Sequence, residues 1–161
     1  LLVMVLPGVP AFYLPALLAS PNDVSKFRKT GQRRDLNRPQ FKTDSLERRL
    51  DDPESDPTRV LKVLRHAMRV RASIQALHPD TPMTLISGGR SDLVVLKRGN
   101  TQQPLYAVHN MTSARLNLPL STLSEKASLS SWHDSLQERD LEIGQQQLQL
   151  DPYQVAWLVS Q

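Results

Sequence analysis

At "HPDTP", residues 78–82, the pattern of the chain changes, and no other feature limits the fold as much. Before it, apolar residues recur at helical spacing. After it, short segments alternate apolar and polar side chains between Gly, Asn, Pro and Ser clusters. A period near 3.6 builds a helix with one buried stripe, and a period of two builds a strand with one buried face. One segment cannot satisfy both, so the chain is expected to join a partly helical region, 1–78, to a separate β domain, 79–161.

The alternating segments are Met83–Ser87, Asp92–Lys97, Leu105–Asn110, Arg115–Leu118, Gln147–Leu150 and Gln154–Leu158. Strands this short between turn signals predict a small antiparallel sandwich or barrel. Upstream, Asp56 and Pro57 read as an N-cap and first-turn pair. Val60, Leu61, Leu64, Met68, with Val63, Ala67 and Ala72 nearby, then predict an amphipathic helix of four to five turns. Its other face carries Arg59, Lys62, Arg65 and Arg69. No aromatics are interleaved for base stacking, so a solvated face is expected and nucleic acid is not.

The opening "LLVMVLPGVPAFYLPALLAS" has no initiating Met and no basic residue before Lys26, which argues against a signal peptide. Pro7, Gly8, Pro10 and Pro15 interrupt it too often for a spanning helix, so no membrane partner is expected. Leu1–Leu6 instead reads as a strand buried on both faces, as in a parallel sheet. A lone strand of that kind has no sheet of its own, and the expectation is a C-terminal piece of a longer protein. Val9–Leu18 is expected to stay packed. Pro21-Asn22-Asp23 reads as a turn that starts a short helix, and Asp44 with Glu47 as the cap of another over Leu46–Leu50. A piece beginning near Thr81 is expected to behave better than the whole chain.

Charge is uneven. Fourteen of the 20 Lys and Arg lie within Lys26–Arg71, with 7 acidic residues, whereas 6 basic and 8 acidic residues follow from Ala72 onward. The chain has no Cys, which excludes disulfides and thiolate metal sites and fits a reducing, cytoplasmic setting. His66, His78, His109 and His133 show no metal-ligand spacing, and no cofactor or metal is expected. "WHDS" sets His133, Asp134 and Ser135 side by side, but neighbours along a strand point to opposite faces and cannot converge as a triad. Asp51, Asp52, Glu54 and Asp56 read as a linker and helix cap. "KTGQRRDLNRP" resists so plain a reading: Arg33, Arg34 and Arg38 crowd a loop with little apolar content. The guanidinium groups serve either solubility or an anionic ligand, for which their paired donors suit phosphate or carboxylate. In the second case Asp35 and Asn37 would orient them or bind sugar hydroxyls.

"LPGVPAFYLPALLASPNDVSKFRKTGQRRDLNR" resembles the end of the catalytic barrel in sucrose phosphorylases and their relatives in the α-amylase superfamily. "LERRLDDP", "LHPDTP", "AVHNMT" and "LDPYQVAWL" are similar to the glucosylglycerate and glucosylglycerol phosphorylase branch. The resemblance implies an α/β plus all-β protein, in which the last strand and helices of a (β/α)8 TIM barrel precede a small antiparallel β-sandwich. It implies a retaining transfer of glucosyl from an α-glucoside to inorganic phosphate, giving α-glucose 1-phosphate. The nucleophile, the acid/base and the assisting carboxylate of that family fall upstream of the opening strand, so this stretch alone is expected to be inactive. Arg34 matches the arginine that faces the acceptor subsite, and Arg33, Asn37 and Arg38 complete the candidate substrate and phosphate set. Arg33 and Pro15 stand where sucrose phosphorylases commonly have Gly, a departure on the acceptor side. A homodimer is a further expectation. Two other classes remain open: a stand-alone carbohydrate-binding β-sandwich, which a row of exposed aromatics among Tyr106, Trp132, Tyr153 and Trp157 would favour, and a basic interaction module. Tyr153 and Trp157 are expected in the core.

Overall fold

Each of the six alternating segments is a strand in the computed structural model, which describes residues 1–86, 90–100, 102–123, 131–142 and 144–160. Ser87, placed at the end of the first expected strand, lies outside the described residues. The strands are β1 (Met83–Ile86), β2 (Leu93–Arg98), β3 (Leu105–Asn110), β4 (Leu116–Pro119), β7 (Gln147–Leu150) and β8 (Val155–Ser160), with β5 (Trp132–Asp134) and β6 (Arg139–Asp140) between β4 and β7. Six form one antiparallel sheet in the order β1-β2-β3-β8-β5-β6, and β4 pairs with β7.

Period-two alternation sorts the side chains into two buried layers. Leu93, Val95, Tyr106, Val108, Trp132, Ala156 and Leu158 of the larger sheet share one core with Leu116, Leu118, Leu148 and Leu150 of the β4–β7 pair. Each large side chain buried there contributes roughly 1.5–3 kcal/mol. Tyr106 and Trp132 meet edge to face, with ring centroids 5.5 Å apart. The intervening residues Leu96, Arg98, Leu105, Ala107, His109 and Trp157 are buried as well, so the sheet is covered on both faces.

The second covering comes from the opening residues and from the stretch after Ala67, which belong with the sheet to one compact unit, Leu1–Pro10 plus Ala67–Gln161. Met4 and Val5 are fully buried, and so is Leu77 in the 3-10 turn Gln75–Leu77. The expected strand over Leu1–Leu6 is not formed: Leu2–Met4 is a 3-10 turn, with Met4 N–H on Leu1 O at 2.9 Å and Val5 N–H on Leu2 O at 3.0 Å. An extended segment with no neighbouring strand would bury unpaired backbone groups, and the tight turn pairs them locally. Two arginines take up what remains. Arg71 donates to Met4 O and, at 2.9 Å, to Gly8 O. Arg98 donates to Val5 O, and to His78 O at 2.7 Å and Thr81 O at 3.0 Å. Gly8, at φ 92°, turns the chain in a conformation that side chains avoid and donates to Pro79 O at 2.9 Å. A piece beginning at Thr81 would lack this whole layer.

The other unit, Ala11–His66, is built from short helices: α1 (Leu14–Leu17), α2 (Val24–Thr30), α3 (Thr43–Asp51) and the start of α4 (Asp56–Ser73). Val9, Tyr13 and Leu14 are exposed, so Val9–Leu18 is not packed throughout; Leu18 is its buried member. Asp23 caps α2 as expected, accepting from Lys26 N at 2.8 Å. Asp44 and Glu47 do not form the expected cap, because α3 begins earlier with Lys42 at its N-cap. For α4 the capping side chain is Ser55, which accepts from Thr58 N at 3.3 Å, and Asp56 lies inside the first turn. The hydroxyl of Thr58 reaches back to Arg49 O at 3.0 Å and Leu50 O at 2.9 Å, joining the end of α3 to the start of α4. Val63 is 54% exposed, one position off the apolar stripe.

Candidate functional site

The arginine-rich segment is a turn whose geometry follows from α2. Gly31 ends that helix at φ 67°, its N–H on Phe27 O at 2.8 Å, and only a left-handed residue turns the chain there at no cost. The Thr30 hydroxyl donates to Lys26 O at 3.1 Å and accepts from Gln32 N at 3.2 Å, so the exit is fixed on both sides. A 3-10 turn, Arg33–Asp35, follows, and Leu36 O accepts from Asp23 N at 2.7 Å, which returns the turn to the head of α2.

On this frame Arg33, Arg34, Asn37 and Arg38 are all exposed. Arg34 donates from Nε to Gln32 Oε1 at 2.9 Å, which orients the guanidinium and leaves both terminal nitrogens for a ligand. Among the described residues, no carboxylate lies within ion-pair distance of Arg33, Arg34 or Arg38. Asp35, expected to orient the arginines, instead meets Lys26 at 3.4 Å. Its carboxyl is held below the usual range, first by the Thr30 hydroxyl and then by Lys26. Lys26 Nζ also reaches Arg38 O at 3.5 Å. Lys26 and Gln32 were not among the expected site residues; the spacing of a helix residue from a loop nine positions on gives no such signal. The turn therefore displays paired N–H donors around a structured, positively charged loop, an arrangement suited to a phosphate or carboxylate.

The other sequence candidates separate. Asp134 is buried and accepts from Leu136 N and Trp157 N, each at 3.1 Å, while His133 meets Asp140 at 2.7 Å; they do not converge with Ser135. Burial raises the Asp134 carboxyl above its ordinary pKa. Burial lowers His109 to about 4. Of the four aromatics that might have formed an exposed row, Tyr106, Trp132 and Trp157 are buried. Tyr153 is not in the core as expected: it is 66% exposed, at φ 56°. The basic face of α4 is exposed, with Arg65 and Arg69 engaged in interactions of their own. No helix among the described residues is long and apolar enough to cross a membrane.

No family model matches the chain. Over 158 residues, 98% of the chain, it is 28% identical to a glucosylglycerate phosphorylase of Allomeiothermus silvanus, covering 25% of that protein. It is 24% identical over 152 residues to a glucosylglycerate phosphorylase of Escherichia coli, covering 26% of it, and 31% identical over 98 residues to a sucrose phosphorylase of Bifidobacterium adolescentis, covering 18%. The chain thus spans about a quarter of the length of the curated relatives it matches. Among solved structures, an Anoxybacillus α-amylase matches 98% of the chain with a TM-score of 0.69 at 16% identity, over 30% of its own length. A Geobacillus thermoleovorans α-amylase matches 99% with 0.68 at 18%, over 31%. At these identities the structural likeness is one of fold. In sequence, the chain's homologues are glucosylglycerate and sucrose phosphorylases.

Proposed function

We propose that this chain is part of a cytoplasmic glycoside phosphorylase that moves a glucosyl group from an α-glucoside to inorganic phosphate with retention, releasing α-glucose 1-phosphate. The observation that carries this reading is the whole-chain similarity to glucosylglycerate phosphorylase, which includes the arginine turn. Retention demands a carboxylate nucleophile and a second carboxyl as acid and base. The reading gives that pair to parts of the family outside this stretch, and gives this stretch the acceptor side. Arg34, oriented by Gln32, would hold phosphate by two parallel N–H donors so that it competes with water for the glucosyl intermediate. Arg33 and Arg38 would add positive potential, and Asn37 a hydrogen bond. The extra cation at Arg33 favours a donor whose leaving group carries a carboxylate, such as glucosylglycerate, over sucrose.

The test is a phosphate-dependent assay of glucose 1-phosphate release from sucrose, glucosylglycerate and glucosylglycerol, using the complete reading frame. The expected result is release from one of these donors and a loss of about a hundredfold in kcat/KM for phosphate in Arg34→Ala, with hydrolysis of the same donor spared. Equal loss of hydrolysis would assign Arg34 to the fold instead, and no release from any α-glucoside would overturn the reading.

A further inference from the structure

A cavity of about 670 Å³ opens beside the β5–β6 hairpin and β7 and is lined by Gln137, Arg139, Glu142, Gln145, Gln149 and Gln154 among others, the core residues Leu141 and Leu148 included. That volume lies within the range of small-molecule sites, roughly 300–1,000 Å³. Its chemistry is unlike that of the arginine turn. Four of these side chains are carboxamides, each able to donate and to accept, which is what a row of vicinal hydroxyls requires.

Two of the four are already oriented. Gln145 Oε1 accepts from Glu142 N at 3.3 Å and its Nε2 donates to Gln147 O at 2.6 Å. Gln154 Oε1 accepts from Asp151 N at 2.7 Å, leaving its Nε2 for a ligand. The turn that carries Gln154 is itself fixed, because Asn110 Nδ2 donates to Asp151 O at 2.8 Å and Tyr153 N donates to Thr112 O at 3.0 Å. Side chains held this way bind without a further ordering cost. The lining carries one cation, Arg139, against Asp140, Glu142 and Asp151, and so has no excess of positive charge to draw an anion. Two of the carboxylates are occupied: Asp140 meets His133, and Asp151 meets Arg115 at 2.8 Å. Tyr153 is not itself in the lining; between the lining residues Pro152 and Gln154 it is exposed at φ 56°, an aromatic ring next to the groove along the chain.

We propose that this groove binds a neutral oligosaccharide. The proposal does not depend on the phosphorylase reading, since it concerns binding without turnover. Its test is calorimetric titration of the protein with maltoheptaose, repeated with Gln137→Ala/Gln149→Ala and with Tyr153→Asn. Asparagine tolerates the left-handed backbone that Ala would strain, so the second variant removes the ring and keeps the turn. Maltoheptaose is expected to bind the wild type and to bind at least one variant fourfold or more weakly, with near-ultraviolet circular dichroism unchanged. No binding to the wild type overturns the proposal, and so does equal affinity in both variants. Displacement of maltoheptaose by inorganic phosphate would also overturn it. If maltoheptaose binds as described while no α-glucoside is phosphorolysed, only the function proposed above fails.

Discussion

The two groups of arginines in this protein use one side chain in opposite ways. Arg98, fully buried, and the half-buried Arg71 spend their terminal nitrogens on five backbone carbonyls of the opening segment and of the stretch from His78 to Thr81. Arg33, Arg34 and Arg38 lie in the open, and among the described residues only one of their donor groups, Arg34 Nε, is committed to a side chain. Burial disfavours the charge of Arg98, with a smaller contribution from Arg71, and lowers its pKa, yet a guanidinium keeps its proton even so. The difference shows that an arginine-rich sequence can offer its charge to a ligand only where the fold leaves the guanidinium forks unspent. Composition alone cannot distinguish a clamp from a receptor.

The largest effect that could break this contrast is Arg98→Ala. It strips Val5 O and Thr81 O of their donor, leaves His78 O with the N–H of Thr81 alone and opens a cavity, and should cost about 4 kcal/mol of stability in urea unfolding. A loss below about 1 kcal/mol would mean that the clamp is not a clamp. His109 sharpens the same point, for it sits on the same buried face but can shed its proton. Its pKa in the folded protein, about 4, lies below the ordinary 6.5, so the unfolded chain binds the extra proton first. Its contribution is present above pH 6.5 and is lost as the pH falls towards 4, by about 3 kcal/mol at full extent. His109→Leu should flatten that part of the stability profile. At the exposed turn the expectation reverses: Arg34→Ala should leave stability within about 0.5 kcal/mol of the parent while phosphate use falls about a hundredfold. The smallest effect belongs to the frame of the turn. Asp23→Ala removes the α2 cap and should lower the midpoint of thermal unfolding slightly.

The sheet was legible because alternation survives in short strands whenever one face meets a core. The hairpin β5–β6 was not, since two- and three-residue strands carry no countable period. The opening segment misled for a physical reason: continuous Leu and Val describe burial, and burial was correct for Met4 and Val5, but only a partner strand converts burial into a strand. Ser55 was passed over beside the more conspicuous Asp56-Pro57, although a hydroxyl one position earlier reaches the third amide better. Tyr153 looked like core by hydropathy, whereas the "DPYQ" turn places it at a positive φ where its ring faces outward exposure. Of the arginine turn, the sequence carried the density of cations and the glycine that starts it. Which carboxylate each cation meets depended on a return of the chain from Leu36 to Asp23 that no local pattern encodes.

The clamp at the opening segment also has a bearing on order in time. Its bonds join residues 67 and 93 positions apart in the chain, so neither can form until β2 and α4 are in place to present their side chains. Closing loops of that length is slow and gains little until the sheet is there to receive the segment. The segment Leu1–Pro10 therefore depends on the sheet for its docking, and in amide exchange Met4 and Val5 should open before the strands they cover.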